Sequence, residues 1–219
     1  MAPRQLTAAQ AAAAVKRGAV FHRARVTRVQ RDGASLRVIT STGSITGSTV
    51  VLAAGAWGAG IDIAGAGGPP LRPVRGQLLH LGWRGHPIST IIWGPECYIV
   101  PRTDGSLLVG ATVEDVGFDE RTTAAGVRDL LDAACDLLPG GWGATFLGVY
   151  VGLRPATPDD LPALGPDDTV PGLVHASGHY RNGVLLAPVT ARMVADWIVN
   201  GKRDPAFDVL NPGRFSSVA

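Results

Sequence analysis

Three stretches of the chain carry residue types that can handle an anionic or polarised ligand. The densest is Gly178-His179-Tyr180-Arg181-Asn182-Gly183. It follows a short apolar run and precedes a long apolar one, so the spacing predicts a strand, a turn and a helix start. Free backbone N–H groups and the partial positive charge of a helix N-terminus then face an anion or a polarised ring. An ordinary strand-to-helix loop capped by Asn182 has the same outline. What raises the ligand reading is the combination of two glycines, an arginine and an aromatic in six residues. The second stretch is Val151-Gly152-Leu153-Arg154-Pro155, where an arginine ends an apolar strand. An unpaired buried guanidinium is costly, so Arg154 needs an anionic partner. Asp159 or Asp160 offers a structural pair, slightly favoured on the residues alone. A substrate carboxylate held in a bidentate fork is the rival. The third is Tyr98 in Cys97-Tyr98-Ile99-Val100-Pro101-Arg102. Tyrosine in a strand usually packs, but its hydroxyl can also help hold a carboxylate.

Other chemistries find no foothold. His175 and His179 are four apart across a non-helical segment, which argues against a zinc pair, and no metal site is expected. Ser177 lacks the glycine two residues before it that a nucleophile elbow needs. Neither Gly55, Gly58 and Gly60 nor Gly65, Gly67 and Gly68 fit G-x-G-x-x-G, and there is no P-loop. Lys16 and Lys202 are the only lysines, so Schiff-base chemistry is improbable. Cys97 and Cys135 are too few for a disulfide framework, which makes a reducing cytoplasm the expected compartment.

The positioning elements follow from periodicity. Residues 4–17 read as an Ala-rich helix stopped at Gly18. Period-two alternation predicts a strand from Ala19 to Gln30, a turn at Asp32-Gly33 and a returning strand from Ser35 to Thr40. The run from Ser48 to Ala54 is apolar throughout, as in a parallel strand buried on both faces. Gly55 to Pro70 reads as a loop or crossover. Strands are expected at 74–81, 88–93, 98–102 and 107–112, as an antiparallel meander with a hairpin turn at Thr103-Asp104-Gly105. A helix over Thr122–Leu138 carries Val127, Leu130, Leu131, Ala134, Leu137 and Leu138 as its apolar stripe and stops at Pro139-Gly140-Gly141. A strand over 144–154, another over Leu173–Ala176 and a helix to Asn200 complete the chain.

Composition bounds the partners. The net charge of +2 comes from 20 basic and 18 acidic residues without a basic run, which speaks against nucleic acid or a membrane surface. No stretch reads as a signal peptide or a spanning helix. Glycine, at 29 of 219 residues, is well above the usual ~7%, which points to tight turns and close ligand approaches.

Taken together, several segments resemble one family. Val50-Val51-Leu52-Ala53-Ala54-Gly55-Ala56-Trp57 resembles the flavin-contacting strand of the D-amino-acid oxidase superfamily of FAD-dependent oxidoreductases. Cys97–Arg102 and Val109-Gly110-Ala111-Thr112 are similar to substrate-domain strands of its thiamine-pathway glycine oxidases. Gly152-Leu153-Arg154-Pro155 and Gly178–Pro188 resemble the C-terminal signature, and Arg-Asn-Gly favours glycine oxidases over D-amino-acid dehydrogenases. The likeness runs from Pro3 to about Asn200.

The resemblance implies a mixed α/β chain: part of a Rossmann-like FAD domain (1–57 and 151–219) around an antiparallel substrate domain (58–150). It implies that Arg154 clamps the substrate carboxylate with help from the Tyr98 hydroxyl, and that Arg181 lies on the substrate side of the flavin. Ala54, Gly55 and Trp57 would border the flavin. Gly178, His179, Tyr180, Arg181, Asn182, Gly183, Val184 and Leu185 would wrap it, with the helix start aimed at its C2 carbonyl. The Val26 backbone would meet the adenine. Glu96 stands where some glycine oxidases have histidine, and either greets the substrate ammonium or faces solvent. The implied reaction is hydride transfer from a small amine or D-amino acid to FAD, imine hydrolysis to an oxo acid, and reoxidation by O₂ to H₂O₂. The family's G-x-G-x-x-G unit, which holds the FAD pyrophosphate, is missing. The expectation is therefore a C-terminal part that binds FAD weakly alone, with strand edges open at Val50–Ala54 and Leu173–Ala176. The alternatives are a subunit docking with a separate N-terminal half, a homo-oligomer, or a dehydrogenase using another acceptor.

Overall fold

The computed structural model describes residues 3–215. Its contacts divide the chain into two compact units, one holding the chain up to Pro70 and from Thr157 onward, the other Leu71–Ala156.

The Leu71–Ala156 unit is a five-stranded sheet under one helix. Its strands are β6 (Arg72–Gly82), β7 (Ile92–Trp93), β8 (Tyr98–Pro101), β9 (Ser106–Gly110) and β10 (Thr145–Ala156), numbered from the first strand of the chain. They lie in the order β10-β6-β9-β8-β7, with every pair antiparallel. The expected meander holds for β7, β8 and β9, while β6 lies between β9 and β10. The strand anticipated at 88–93 shortens to Ile92–Trp93, and that at 107–112 begins at Ser106 and stops at Gly110.

The helix α2 (Ala124–Leu137) begins where Thr123 accepts a hydrogen bond from the Gly126 N–H at 3.1 Å. Its buried Leu130 and Ala134 pack on Leu79, Leu81, Ile99, Leu107 and Val109. Cross-strand register gives each sheet face its membership, because residues directly opposite one another point the same way. Arg75, Gln77, Leu79 and Leu81 of β6 share the α2 face. Gly76, Leu78 and His80 share the other.

The second unit holds α1 (Pro3–Lys16), which buries none of its residues. Next comes a sheet ordered β3-β2-β1-β5, built from β1 (Val26–Asp32), β2 (Ser35–Thr40), β3 (Gly43–Gly47) and β5 (Asp62–Ile63). Residues 19–25 are not a strand, although they alternate. The β1–β2 hairpin pairs Asp32 with Ser35 around Gly33, whose φ of 63° suits the first central residue of a type II′ turn. The stretch expected as a bare crossover holds a 3₁₀ turn (Gly55–Gly60) and β5, parallel to β1.

The third sheet is β11 (Ala163–Pro166), β12 (Leu173–Ser177) and β4 (Val50–Leu52), in the order β11-β12-β4 with β12 and β4 parallel. Two expectations change here. β12 is flanked on both sides, because β11 covers the edge that was expected open. β4 is the outer strand and is not buried on both faces: Leu52 is buried but Val51 is 39% exposed. Val29, Leu36, Leu52, Ile63, Val170 and Leu173 form a common core between the two sheets. After β12 a 3₁₀ turn (Tyr180–Asn182) runs into α3 (Gly183–Asn200), which ends at Gly201 with φ 63°. The short α4 (Ala206–Leu210) buries Phe207 against Leu164 and Val174.

Candidate functional site

Arg154 and Tyr98 belong to one face of the five-stranded sheet, the face opposite α2. Arg154 sits on β10 opposite Val74, and its guanidinium reaches across β6. Nη1 donates to the Arg75 carbonyl at 3.2 Å and to the Thr112 carbonyl at 3.0 Å. The group lies directly above Gly76, where an added Cβ would come within 2.5 Å of Nη1. Across from Gly76 stands Gly152, where a Cβ would meet no atom within 4 Å. The guanidinium thus occupies the place a side chain at 76 would take, with open space at Gly152 beside it where a planar anion could enter. Of the two carboxylates anticipated as structural partners, Asp159 and Asp160, the first is engaged by another arginine. Arg214 holds that carboxylate through both of its oxygens, at 2.8 and 3.0 Å, and its hydrogen bonds bring the Asp159 carboxyl down to about 2.

Tyr98 pairs with Gly110, and its hydroxyl lies 2.7 Å from where a Gly110 Cβ would be. Trp93 packs on its ring with centroids 5.3 Å apart. Glu96 is exposed in the turn between β7 and β8, closed by the Gly94 N–H donating to the Cys97 carbonyl at 2.8 Å.

Sequence reasoning missed what lies beneath this seat. Arg75 and Gln77, both buried, face α2 and join Glu114. The Glu114 carboxylate accepts from Arg75 Nε at 3.2 Å, Arg75 Nη2 at 2.5 Å, Gln77 Nε2 at 2.9 Å and the Thr112 hydroxyl at 2.5 Å. Burial opposes its ionisation, but these hydrogen bonds outweigh it and bring the carboxyl down to about 2. Arg75 also reaches Asp119 at 3.1 Å, and Gln77 bonds Thr123 at 2.9 Å. The available signal was weak: two polar residues alternating with glycine inside a strand.

In the other unit, the ends of β4 and β12 meet where the Ser177 hydroxyl donates to the Gly55 carbonyl at 3.1 Å. Gly55 (φ 58°), Gly178 (φ 76°) and Tyr180 (φ 46°) all have left-handed backbones. For a tyrosine that conformation costs energy, a feature that clusters at ligand sites. His179 is held by the Thr190 hydroxyl at 2.9 Å, and burial lowers its pKa, favouring the neutral ring. Asn182 precedes α3 but makes no side-chain cap bond, which removes the simple capping reading. Arg181 is exposed and has no hydrogen-bond or ion-pair partner among the described residues. Trp57, Val184 and Leu185 are 52%, 53% and 77% exposed. Val26 opens β1 and pairs with Thr40, and Ala54 precedes the Gly55 turn. Left-handed turns and a helix start without a side-chain cap fit an aromatic cofactor with a polarised carbonyl.

The chain belongs to the FAD dependent oxidoreductase family, which matches residues 1–197. It is 40% identical over 195 residues to the bifunctional protein ThiO/ThiG of Trichormus variabilis, covering 87% of this chain and 29% of that protein. It is 35% identical over 206 residues to the glycine oxidase of Geobacillus kaustophilus, covering 93% of this chain and 54% of the relative. The solved structure of iminodiacetate oxidase from Chelativorans sp. BNC1 is similar with a TM-score of 0.87 at 28% identity, over 95% of this chain and 58% of that one. The chain therefore spans about half the length of a glycine oxidase relative. Among the described residues no helix is long and apolar enough to cross a membrane.

Proposed function

We propose that this chain is the substrate-sheet and flavin-cradling part of a glycine oxidase-type enzyme, acting on glycine or a small amine or D-amino acid in a thiamine-pathway context. The observation that carries the reading is the Arg154 guanidinium, laid over Gly76 by two carbonyl oxygens and bordered by open space above Gly152.

Arg154 binds the substrate carboxylate in a two-point fork and the Tyr98 hydroxyl donates to it. Together they fix the amine carbon's orientation before any bond changes, which is the protein's main share of such a reaction. Glu96 faces the substrate ammonium from its exposed turn. The α3 start, preceded by Gly178 and Tyr180 in left-handed conformations, would hold FAD by offering backbone N–H groups to a ring carbonyl and would favour negative charge there. Ala54, Gly55 and Trp57 border the same ring, and Val26 offers its backbone to the adenine. FAD, when bound there, would supply the two-electron acceptor for oxidation of the amine, with O₂ as the terminal acceptor.

A second reading, a subunit that works only with a separate N-terminal half, is favoured by the open outer edge of β4 and the exposed Val51 and Leu185. FAD titration tests the cofactor assignment. The chain alone is expected to hold FAD weakly. Fused behind the part of the Geobacillus kaustophilus glycine oxidase that it does not cover, it is expected to retain FAD stoichiometrically through gel filtration. A folded fusion that emerges free of flavin contradicts the assignment.

A further inference from the structure

We propose that Gly76 and Glu114 are positioning residues for Arg154. Gly76 leaves the seat in which the guanidinium lies, and Glu114 fixes the two carbonyl groups that hold it there. The proposal rests on the carboxylate-binding reading of Arg154 and names what sets its geometry.

The seat follows from register. Val74 and Gly76 are neighbours of Arg154 on the same sheet face, and any side chain at 76 would occupy the guanidinium's place. Only glycine at 76 lets an arginine from β10 cross β6 and reach the segment beyond it. That segment is stitched to β6 by backbone pairs. Arg75 N–H donates to the Glu114 carbonyl at 2.8 Å, Glu114 N–H to the Arg75 carbonyl at 3.0 Å, and Thr112 N–H to the Gln77 carbonyl at 3.2 Å.

The two oxygens that receive Arg154 are those of Arg75 and Thr112. Both residues also donate side-chain hydrogen bonds to the Glu114 carboxylate. Glu114 thus ties the two carbonyl-bearing residues together on the α2 face, while Arg154 uses their oxygens from the strand side. Removing the carboxylate leaves the Arg75 guanidinium, only 4% exposed, with Asp119 as its remaining carboxylate partner. It also removes the acceptor of the Thr112 hydroxyl, which keeps only the bond it accepts from the Gln77 N–H at 2.8 Å.

Two measurements on the full chain test this. The first is a double-mutant cycle of thermal unfolding. Gly76→Ala is expected to lower Tm by several degrees beside Arg154, and to change it little in an Arg154→Ala background, where nothing fills the seat. A Gly76→Ala loss as large in the Arg154→Ala background as in wild type overturns the seat.

The second is the ¹⁵N guanidinium spectrum, which a merely structural role would not move. Arg154 is expected to give a slowly exchanging Nη signal, assigned by its loss in Arg154→Lys. The signal should disappear in Gly76→Ala and exchange at least about tenfold faster in Glu114→Gln, with the amide spectrum retained. An Arg154 signal unchanged in both variants contradicts the proposal. Glycine titrated against the same signal separates the two levels of inference. A protected Arg154 that glycine leaves unmoved defeats the carboxylate reading, whereas one that never depended on residues 76 and 114 defeats the positioning.

Discussion

Replacing Arg154 with alanine in the fusion described above is expected to raise KM for glycine by at least about 30-fold. Truncating one partner of a hydrogen-bonded charge pair costs roughly 2–5 kcal/mol, and each 1.4 kcal/mol is tenfold. The carboxylate does not change during the reaction, so its contact is made equally in the ground and transition states. The loss should therefore fall mainly on KM, with kcat changing less. FAD should remain bound, because Arg154 lies in the sheet unit and the cradle residues Gly55 and Gly178–Leu185 lie in the other. Arg154→Lys should recover little, since an ammonium cannot present two parallel N–H donors to a carboxylate while bonding the Arg75 and Thr112 carbonyls. Steady-state kinetics over a wide glycine range decide the point. An unchanged KM removes Arg154 from the substrate site.

The second large effect concerns acid stability. The Glu114 carboxyl titrates at about 2 in the folded chain, against an ordinary value of 4.5. A carboxyl whose pKa is lowered by folding stabilises the fold fully above its unfolded pKa. That stabilisation drains away as pH falls through the folded value. The contribution should therefore be complete above pH 5 and lost between about pH 4.5 and 2, amounting to about 3 kcal/mol at most. In Glu114→Gln that pH-dependent part is absent. The variant should be less stable than wild type at pH 7 and should approach it as pH nears 2. Urea unfolding followed by tryptophan fluorescence at pH 7, 5 and 3 measures both chains side by side. Parallel pH profiles would show that Glu114 carries no such coupling.

Much of the sheet unit was legible because its signals are local. The runs at 74–81 and 144–154 marked β6 and β10, Thr103-Asp104-Gly105 marked the β8–β9 turn, and the apolar stripe with its Pro139-Gly140-Gly141 stop marked α2. Arg154 and Tyr98 drew attention as polar groups in apolar strands, and the register places both on one face. Other elements depended on partners that sequence does not display. Residues 19–25 alternate like a strand but form no ladder, and the bonds across to Ser41 are made only at the far end, by Arg25. β11 was missed because Ala163-Leu164-Gly165-Pro166 is short and ends in the two residues that usually break strands. The seat was invisible for a related reason. A glycine at 76 reads as a weak spot in a strand until β10 is placed beside it and an arginine is found lying over it. Arg75, Gln77 and Glu114 are ordinary polar residues until the 112–114 segment folds back onto β6. The two-sided burial expected for β4 rested on its apolar run alone, and a run cannot report how many neighbours the strand has.

The most direct test of the functional account is glycine-dependent H₂O₂ formation by the fusion, assayed with peroxidase against chain-only and relative-half-only controls. The account predicts H₂O₂ in proportion to glycine consumed, with glyoxylate and ammonia in equal amount, and no turnover by either control. A flavin-loaded, folded fusion that yields no H₂O₂ from glycine, sarcosine or small D-amino acids would contradict it.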